Sequence, residues 1–317
     1  MEKDGVEKYI LDKKLSDRVD SIERMSGGIH NDVFRVDTDR GDFVYKKHCD
    51  ISRTFPDIIL PEGRYENEKN SYSLMAEIFE EKINPEVIYF DDENKVIVME
   101  RLEEKNRADK MIDKINPDVF GRIGKALAQI INATSEKENL RATFNGTEFQ
   151  ELKYEYRYYK FITNEKLFKD RDRLMEKTRK SRRAFSHGDP RLNNLFIEND
   201  NFFFIDYEGA YCADVSLDIA YLMSEILVYY FNEPQELYKK FAINLWDGFV
   251  GEIKAVEIDK SLIRNIFQHV GFALLDKIYG VIKDDYLFVH SPEKIVEKAE
   301  ELIINHDIDD INKLLAV

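Results

Sequence analysis

Two periodicities divide this chain. From Val33 the side chains alternate, with Phe34 and Val36 on one face and Val33, Arg35 and Asp37 on the other. Asp39-Arg40-Gly41-Asp42 reads as a turn and Phe43-Val44-Tyr45-Lys46 as the returning strand. Pro85–Phe90, the polar Asp91–Asn94 and Lys95–Glu100 repeat the pattern, so a small antiparallel sheet is predicted. Ahead of it, Tyr9, Ile10, Leu15, Val19 and Ile22 fit a leading helix over residues 1–24. Tyr65, Tyr72, Met75 and Ile78 stripe a second helix that begins near Tyr65.

After Leu102 helical spacing takes over. Asn116-Pro117-Asp118 is a helix start, with Asn as cap and Pro in the first turn, and Ile123, Leu127, Ile130 and Ile131 supply its core spacing. Apolar stripes predict further helices at Ile219–Phe231, Glu236–Phe249, Lys260–Ile282 and Ser291–Leu315, the last capped by Ser291-Pro292-Glu293. Tyr154–Phe161 is rich in aromatics; this suits a helix with an aromatic core face, or a surface that binds a cation through its rings. Arg171–Arg183 reads as a solvated basic helix. The whole is an α+β pattern, divided into a sheet-bearing part, 1–101, and a helical part, 102–317.

One stretch interrupts the helices. Leu195–Ile197 and Phe202–Ile205 are short apolar runs joined by Glu198-Asn199-Asp200-Asn201, a hairpin signal. Asn194 precedes the outgoing strand and Asp206 follows the returning one, so antiparallel pairing brings two oxygen-bearing side chains together. Two hard oxygen donors at the open end of a hairpin suit Mg²⁺, which keeps waters and substrate phosphates as its other ligands. Asp189 lies five residues before Asn194, the Asp-x-x-x-x-Asn spacing in which a kinase loop pairs a hydroxyl-orienting base with a metal ligand.

His187-Gly188-Asp189 with its spaced Asn194, Ile205-Asp206, and Asp218-Ile219-Ala220 twelve residues after Asp206 resemble the aminoglycoside phosphotransferase and choline kinase family. The resemblance implies a two-lobed protein-kinase-like fold, a small antiparallel-sheet lobe followed by a mainly helical one, and transfer of the ATP γ-phosphoryl group to a small-molecule hydroxyl. It implies Asp189 as base, Asn194 and Asp206 on Mg²⁺, and Arg191 as a charge near the γ-phosphate. His187 is then a brace of the loop and Asp218 an acceptor of the loop's backbone N–H groups. Ser26, Gly27 and Gly28 would cover the phosphates. Gly-Gly before a strand fits an ordinary hairpin when taken alone; Lys46 at the end of the next strand sets it apart, as the lysine that holds the α- and β-phosphates. Lys47 is the rival for that role. Glu68, or else Glu66, would pair with the lysine, and the backbone at Glu100-Arg101-Leu102 would meet the adenine edge. The acceptor pocket would be built from the C-terminal helices.

Departures narrow the substrate. Gly188 stands where protein kinases carry arginine, Asp206-Tyr207-Glu208 replaces Asp-Phe-Gly, and only eleven residues separate Asp206 from Asp218. That leaves no room for a peptide-binding activation segment. Val98–Leu102 and Ile205–Phe231 also resemble methylthioribose kinases, from which the presence of Asn194 departs. A pseudokinase-like nucleotide-binding module is the alternative outside the enzymes, and the presence of Asp189, Asp206 and Lys46 counts against it.

Composition sets the remaining bounds. With 43% hydrophobic residues the chain can bury a core. A net charge of −15 argues against a nucleic-acid partner and is compatible with a cationic small-molecule acceptor. No apolar run is long enough to span a bilayer, the charged start lacks a signal-peptide core, and Cys49 and Cys212 give no disulfide framework. The expected location is the cytoplasm.

Overall fold

The computed structural model describes residues 2–25, 30–181, 183–280, 287 and 290–316. The chain divides into two compact units, Met1–Glu104 and Lys105–Val317.

In the N-terminal unit α1 (Lys3–Asp12) precedes β1 (Val19–Arg24), β2 (Asp32–Thr38) and β3 (Gly41–Lys47). Next come α2 (Arg64–Ile78), β4 (Val87–Asp91) and β5 (Val96–Glu100). The strands form one antiparallel sheet in the order β1-β2-β3-β5-β4. Alternation along β3 places Phe43 and Tyr45 on one face, where they join Val6 and Ile10 of α1, Phe34, Val36, Val96 and Val98 in a buried cluster. The opposite face carries Lys46 and meets α2.

The leading helix is shorter than its apolar spacing suggests. It ends at Asp12, Lys14 takes a positive φ of 57°, and residues 19–24 form an edge strand. Val19 and Ile22 are three apart, a helical spacing, yet both pack on the sheet core. A bulge explains this: the register shifts between Val19 and Ser21, and the extra residue returns Ile22 to the face that Val19 occupies.

The C-terminal unit opens with α3 (Ala108–Met111), α4 (Pro117–Thr134), α5 (Glu138–Thr143) and α6 (Thr147–Tyr154). The last of these widens into a π-helical turn over Glu155–Lys160. Asn116 caps α4 by accepting from the Asp118 amide, with Pro117 at the first position. After α7 (Phe168–Lys180) come β6 (Ala184–Ser186), β7 (Leu195–Glu198), β8 (Asn201–Phe204) and β9 (Tyr211–Ala213), paired β6–β9 and β7–β8. Five helices follow: α8 (Leu217–Asn232), α9 (Glu236–Glu252), α10 (Lys260–Tyr279), α11 (Pro292–Ile304) and α12 (Ile311–Ala316). The expected single helix Ser291–Leu315 is therefore two. The Asn305 side chain accepts from the Asp307 amide, and Asp310 accepts from the amides of Asn312 and Lys313, which starts a new helix. Ser291 makes no side-chain cap bond.

α4 and α9 approach backbone to backbone. A Cβ at Gly248 would fall 2.0 Å from the Gly121 carbonyl oxygen, and one at Gly124 would fall 2.1 Å from that of Leu245. Phe120 and Phe241 stack beside this contact with ring centres 4.6 Å apart.

Candidate active site

On the α2 side of the N-terminal sheet, Lys46 Nζ lies 2.6 Å from Glu68 Oε2, and Glu68 is wholly buried. Lys47 is half-buried and Glu66 exposed, so the buried ion pair is Lys46–Glu68. Tyr72 donates to the other Glu68 oxygen at 3.3 Å. His48 Nε2 sits 2.9 Å from Glu68 Oε2. Sequence reasoning passed over His48; its position two residues beyond Lys46 puts it on the same strand face, which was the available signal. Glu100 ends β5, where its amide donates to the Glu86 carbonyl at 2.8 Å and its carboxylate accepts from the Glu86 amide at 3.1 Å. Leu102 is buried. Ser26, Gly27 and Gly28 lie outside the described residues.

The C-terminal unit holds the loop His187–Asn194 between β6 and β7. Asp218, in the first turn of α8, accepts from the His187 amide at 2.7 Å, the Gly188 amide at 3.2 Å and the Ser186 hydroxyl at 2.7 Å. Gly188 has φ 78°, and a Cβ there would lie 2.2 Å from the Gly209 carbonyl oxygen, so only glycine fits. The Gln150 amide also donates to that carbonyl. His187 is buried against Tyr207, ring centres 4.4 Å apart. Its Nε2 donates to the Ile205 carbonyl at 3.1 Å, leaving Nδ1 to accept from the Asp189 amide at 3.4 Å. Burial pushes its pKa below the ordinary histidine value, against the pull of Asp218, Asp189 and Asp206.

Asp189 meets a cation that the sequence reading did not single out. Arg157, in the π-helical turn, donates to Asp189 Oδ1 at 2.7 Å, and Lys153 Nζ lies 3.3 Å from the Gly188 carbonyl. Burial alone would raise the Asp189 pKa; Lys153, Arg191 and Arg157 instead hold it well below the usual carboxylate range. Arg157 is 32 residues from Asp189 along the chain, and nothing in its spacing pointed to the contact. Tyr154 and Tyr158 of the same segment are buried core.

The hairpin register follows from the apolar runs. Leu195 pairs with Phe204, and the Ile205 amide donates to the Asn194 carbonyl at 3.0 Å, so Asp206 begins where the pairing ends. The reversal is a two-residue turn with Asn199 and Asp200 at φ 49° and 64°, the positive angles a tight hairpin needs. The Asn194 side-chain amide donates to the Asp189 carbonyl at 3.1 Å. Asp206 takes the left-handed conformation, φ 68° and ψ 58°. Arg191 Nε lies 3.4 Å from Glu225 Oε1. Glu225 is wholly buried in α8 and also accepts from the Leu192 amide and Lys277, at 2.6 and 2.7 Å. Burial opposes its ionisation, and Lys277 and Arg191 more than offset that, so its pKa is lowered.

Among the described residues no helix is long and apolar enough to cross a membrane. Solved structures share the fold. Amicoumacin kinase hAmiN, determined with AMP-PNP, Ca²⁺ and Ami, aligns with TM-score 0.60 at 15% identity over 99% of this chain and 100% of its own. Choline kinase LicA from Streptococcus pneumoniae aligns with TM-score 0.52 at 17% identity over 95% of this chain and 98% of its own. A choline/ethanolamine kinase family protein from Mesorhizobium loti gives TM-score 0.55 at 16% identity over 100% and 98%. No curated protein sequence matches this chain. The model of the phosphotransferase enzyme family (APH) matches residues 21–246. That match takes in most of β1, all of β2–β5 and the Asp189 loop, and with it the chain belongs to the phosphotransferase enzyme family and is a phosphotransferase.

Proposed function

We propose that this phosphotransferase is a small-molecule kinase, moving the γ-phosphoryl group of ATP to a hydroxyl of a small molecule. The observation that carries the reading is the carboxylate of Asp189, bound by Arg157 at 2.7 Å, in a loop that Asp218 braces through three hydrogen bonds. Phosphoryl transfer needs alignment and charge neutralisation more than covalent chemistry. Asp189 accepts the proton of the acceptor hydroxyl and aims its oxygen, and Arg191 adds positive charge beside it. In the N-terminal unit Lys46, oriented by Glu68, holds the α- and β-phosphates. By the same reading Ser26, Gly27 and Gly28 are the further phosphate-binding residues, and the backbone at Glu100 and Leu102 takes the adenine edge.

The donor set fits Mg²⁺. Asn194 spends its amide N–H on the Asp189 carbonyl, which leaves its side-chain oxygen for a hard cation, and Asp206 supplies a carboxylate. Held by Asn194 and Asp206, such an ion would supply positive charge to offset that of the substrate phosphates. The amicoumacin kinase with AMP-PNP and Ca²⁺ supports nucleotide and divalent-cation use. Cys49 and Cys212 are both free thiols, which suits the cytoplasm.

The deciding measurement is ADP release from Mg²⁺·ATP over a panel of alcohols: choline, ethanolamine, kanamycin, spectinomycin and methylthioribose. Release that depends on one acceptor class is expected, and it names the substrate. Tight ATP binding with no acceptor-dependent release would favour a nucleotide-binding module. Labelled phosphate appearing on a polypeptide would favour a protein kinase.

A further inference from the structure

We infer that Arg157 is a positioning residue for Asp189, selecting one rotamer of its carboxylate so that a single oxygen faces the acceptor hydroxyl. The inference rests on the proposed role of Asp189 as the group that receives that hydroxyl's proton. A carboxylate turns about a broad, roughly two-fold torsion, so an untethered Asp189 would sample many orientations. Arg157 Nη2 binds Oδ1 at 2.7 Å, leaving Oδ2 without a hydrogen bond among the described residues.

Arg157 is itself held from several sides. Its guanidinium lies over the Tyr221 ring, 4.3 Å from the centre, and its Nε is 3.8 Å from Asp276 Oδ2. The shelf beneath it is fixed by a buried hydrogen-bond chain. Tyr221 and Tyr158 hydroxyls are 3.4 Å apart, Tyr158 reaches His269 Nδ1 at 2.8 Å, and His269 Nε2 reaches Thr178 at 3.0 Å. Thr178 gives its own proton to the Leu174 carbonyl, so it accepts from His269 Nε2–H, and Nδ1 accepts from Tyr158. Every donor in the chain has a defined acceptor, so the Tyr221 ring has little freedom to shift.

The backbone points to the same role. Arg157 sits in a π-helical turn, an uncommon widening that recurs at functional sites. Lys153, four residues earlier and so on the same side of the helix, reaches the Gly188 carbonyl at 3.3 Å. One helix thus fixes the peptide before Asp189 through Lys153 and its carboxylate through Arg157. Misplacing a reacting group by about 1 Å can cost about 100-fold in rate.

The test is a mutant cycle, read with the panel alcohol giving the fastest ADP release, or with water as acceptor where none does. Arg157→Gln is expected to lower kcat about 10- to 100-fold with the dissociation constant for Mg²⁺·ATP unchanged. Arg157→Lys is expected to recover part of the loss, because a point charge replaces the fork. In an Asp189→Asn background Arg157→Gln is expected to add less than about a two-fold loss, since no carboxylate remains to orient. Unchanged kcat in Arg157→Gln, an equal loss in both backgrounds, or a loss confined to nucleotide affinity would each refute the role. Where Arg157→Gln does not fold, Tyr221→Leu decides: removing the shelf lowers kcat with nucleotide affinity intact, or the inference fails. A fully active Asp189→Asn is a different result, refuting the proposed base and not Arg157 alone.

Discussion

Asp189 owes its charge state to neighbours that lie far away in sequence. Lys153 and Arg157 come from the α6 segment, and both favour the ionised carboxylate against the cost of burial. Replacing Asp189 by Asn keeps its shape and removes its capacity to take a proton. Turnover should fall about 100-fold or more while Mg²⁺·ATP binding stays near normal, as steady-state kinetics beside a nucleotide titration would show. Asp206 calls for a different substitution. Its left-handed backbone is one that Asn tolerates and Ala does not, so Asp206→Asn separates charge from conformation. We expect Asp206→Asn to fold normally and to weaken metal-dependent nucleotide binding; equal affinity with and without Mg²⁺ in wild type would remove that assignment. The positions of Asp189, Asn194 and Asp206 were legible in sequence because one short loop and one hairpin carry all three. Arg157 and Glu225 were not, because packing between segments at least 32 residues apart makes their contacts.

Elements show the same division between local and long-range cause. The α4 cap and the β7–β8 turn follow from neighbouring residues, and both were readable. Apolar spacing predicts helix where the edge strand β1 forms, because a bulge gives a strand the three-residue spacing of a helix face. The break between α11 and α12 was missed because Asn305 and Asp310 act through side-chain hydrogen bonds that apolar periodicity does not report. The sheet is tied to α1 through Asp91, which accepts from Tyr9 at 2.8 Å, pairs with Lys13 at 2.8 Å and accepts from the Asn94 amide at 3.0 Å. Burial would raise the Asp91 pKa; Lys13, Asn94 and Tyr9 hold it well below the carboxylate range. A folded pKa below the unfolded one, about 3.9, gives stability that is present above that pH and is lost as pH falls. Asp91→Asn should therefore flatten the acid limb of a melting-temperature profile below about pH 4; a profile parallel to wild type would remove Asp91 from acid unfolding. At the Gly188 turn, Gly188→Ala forces a Cβ against the Gly209 carbonyl at positive φ, and should cost about 2 kcal/mol or more in urea denaturation.

At the scale of the whole molecule, charge acts beyond its pairs. Forty-seven basic side chains face 62 acidic ones, a net charge of −15, so the folded state repels itself at low ionic strength. Raising NaCl from about 20 mM to about 200 mM should raise the melting temperature; a fall would mean that salt-sensitive ion pairs outweigh the net repulsion. The glycine contact between α4 and α9 has a different consequence. Where two main chains touch without any side-chain cushion, there is no slack to absorb a methyl group and no room for one helix to slide along the other. In a saturation library, positions 124 and 248 should reject every residue, alanine included, whereas Gly251 in the last turn of α9, with open space around it, should accept many. That contrast would mark the α4–α9 pair as the fixed keel of the helical unit, against which its other surfaces are free to diversify.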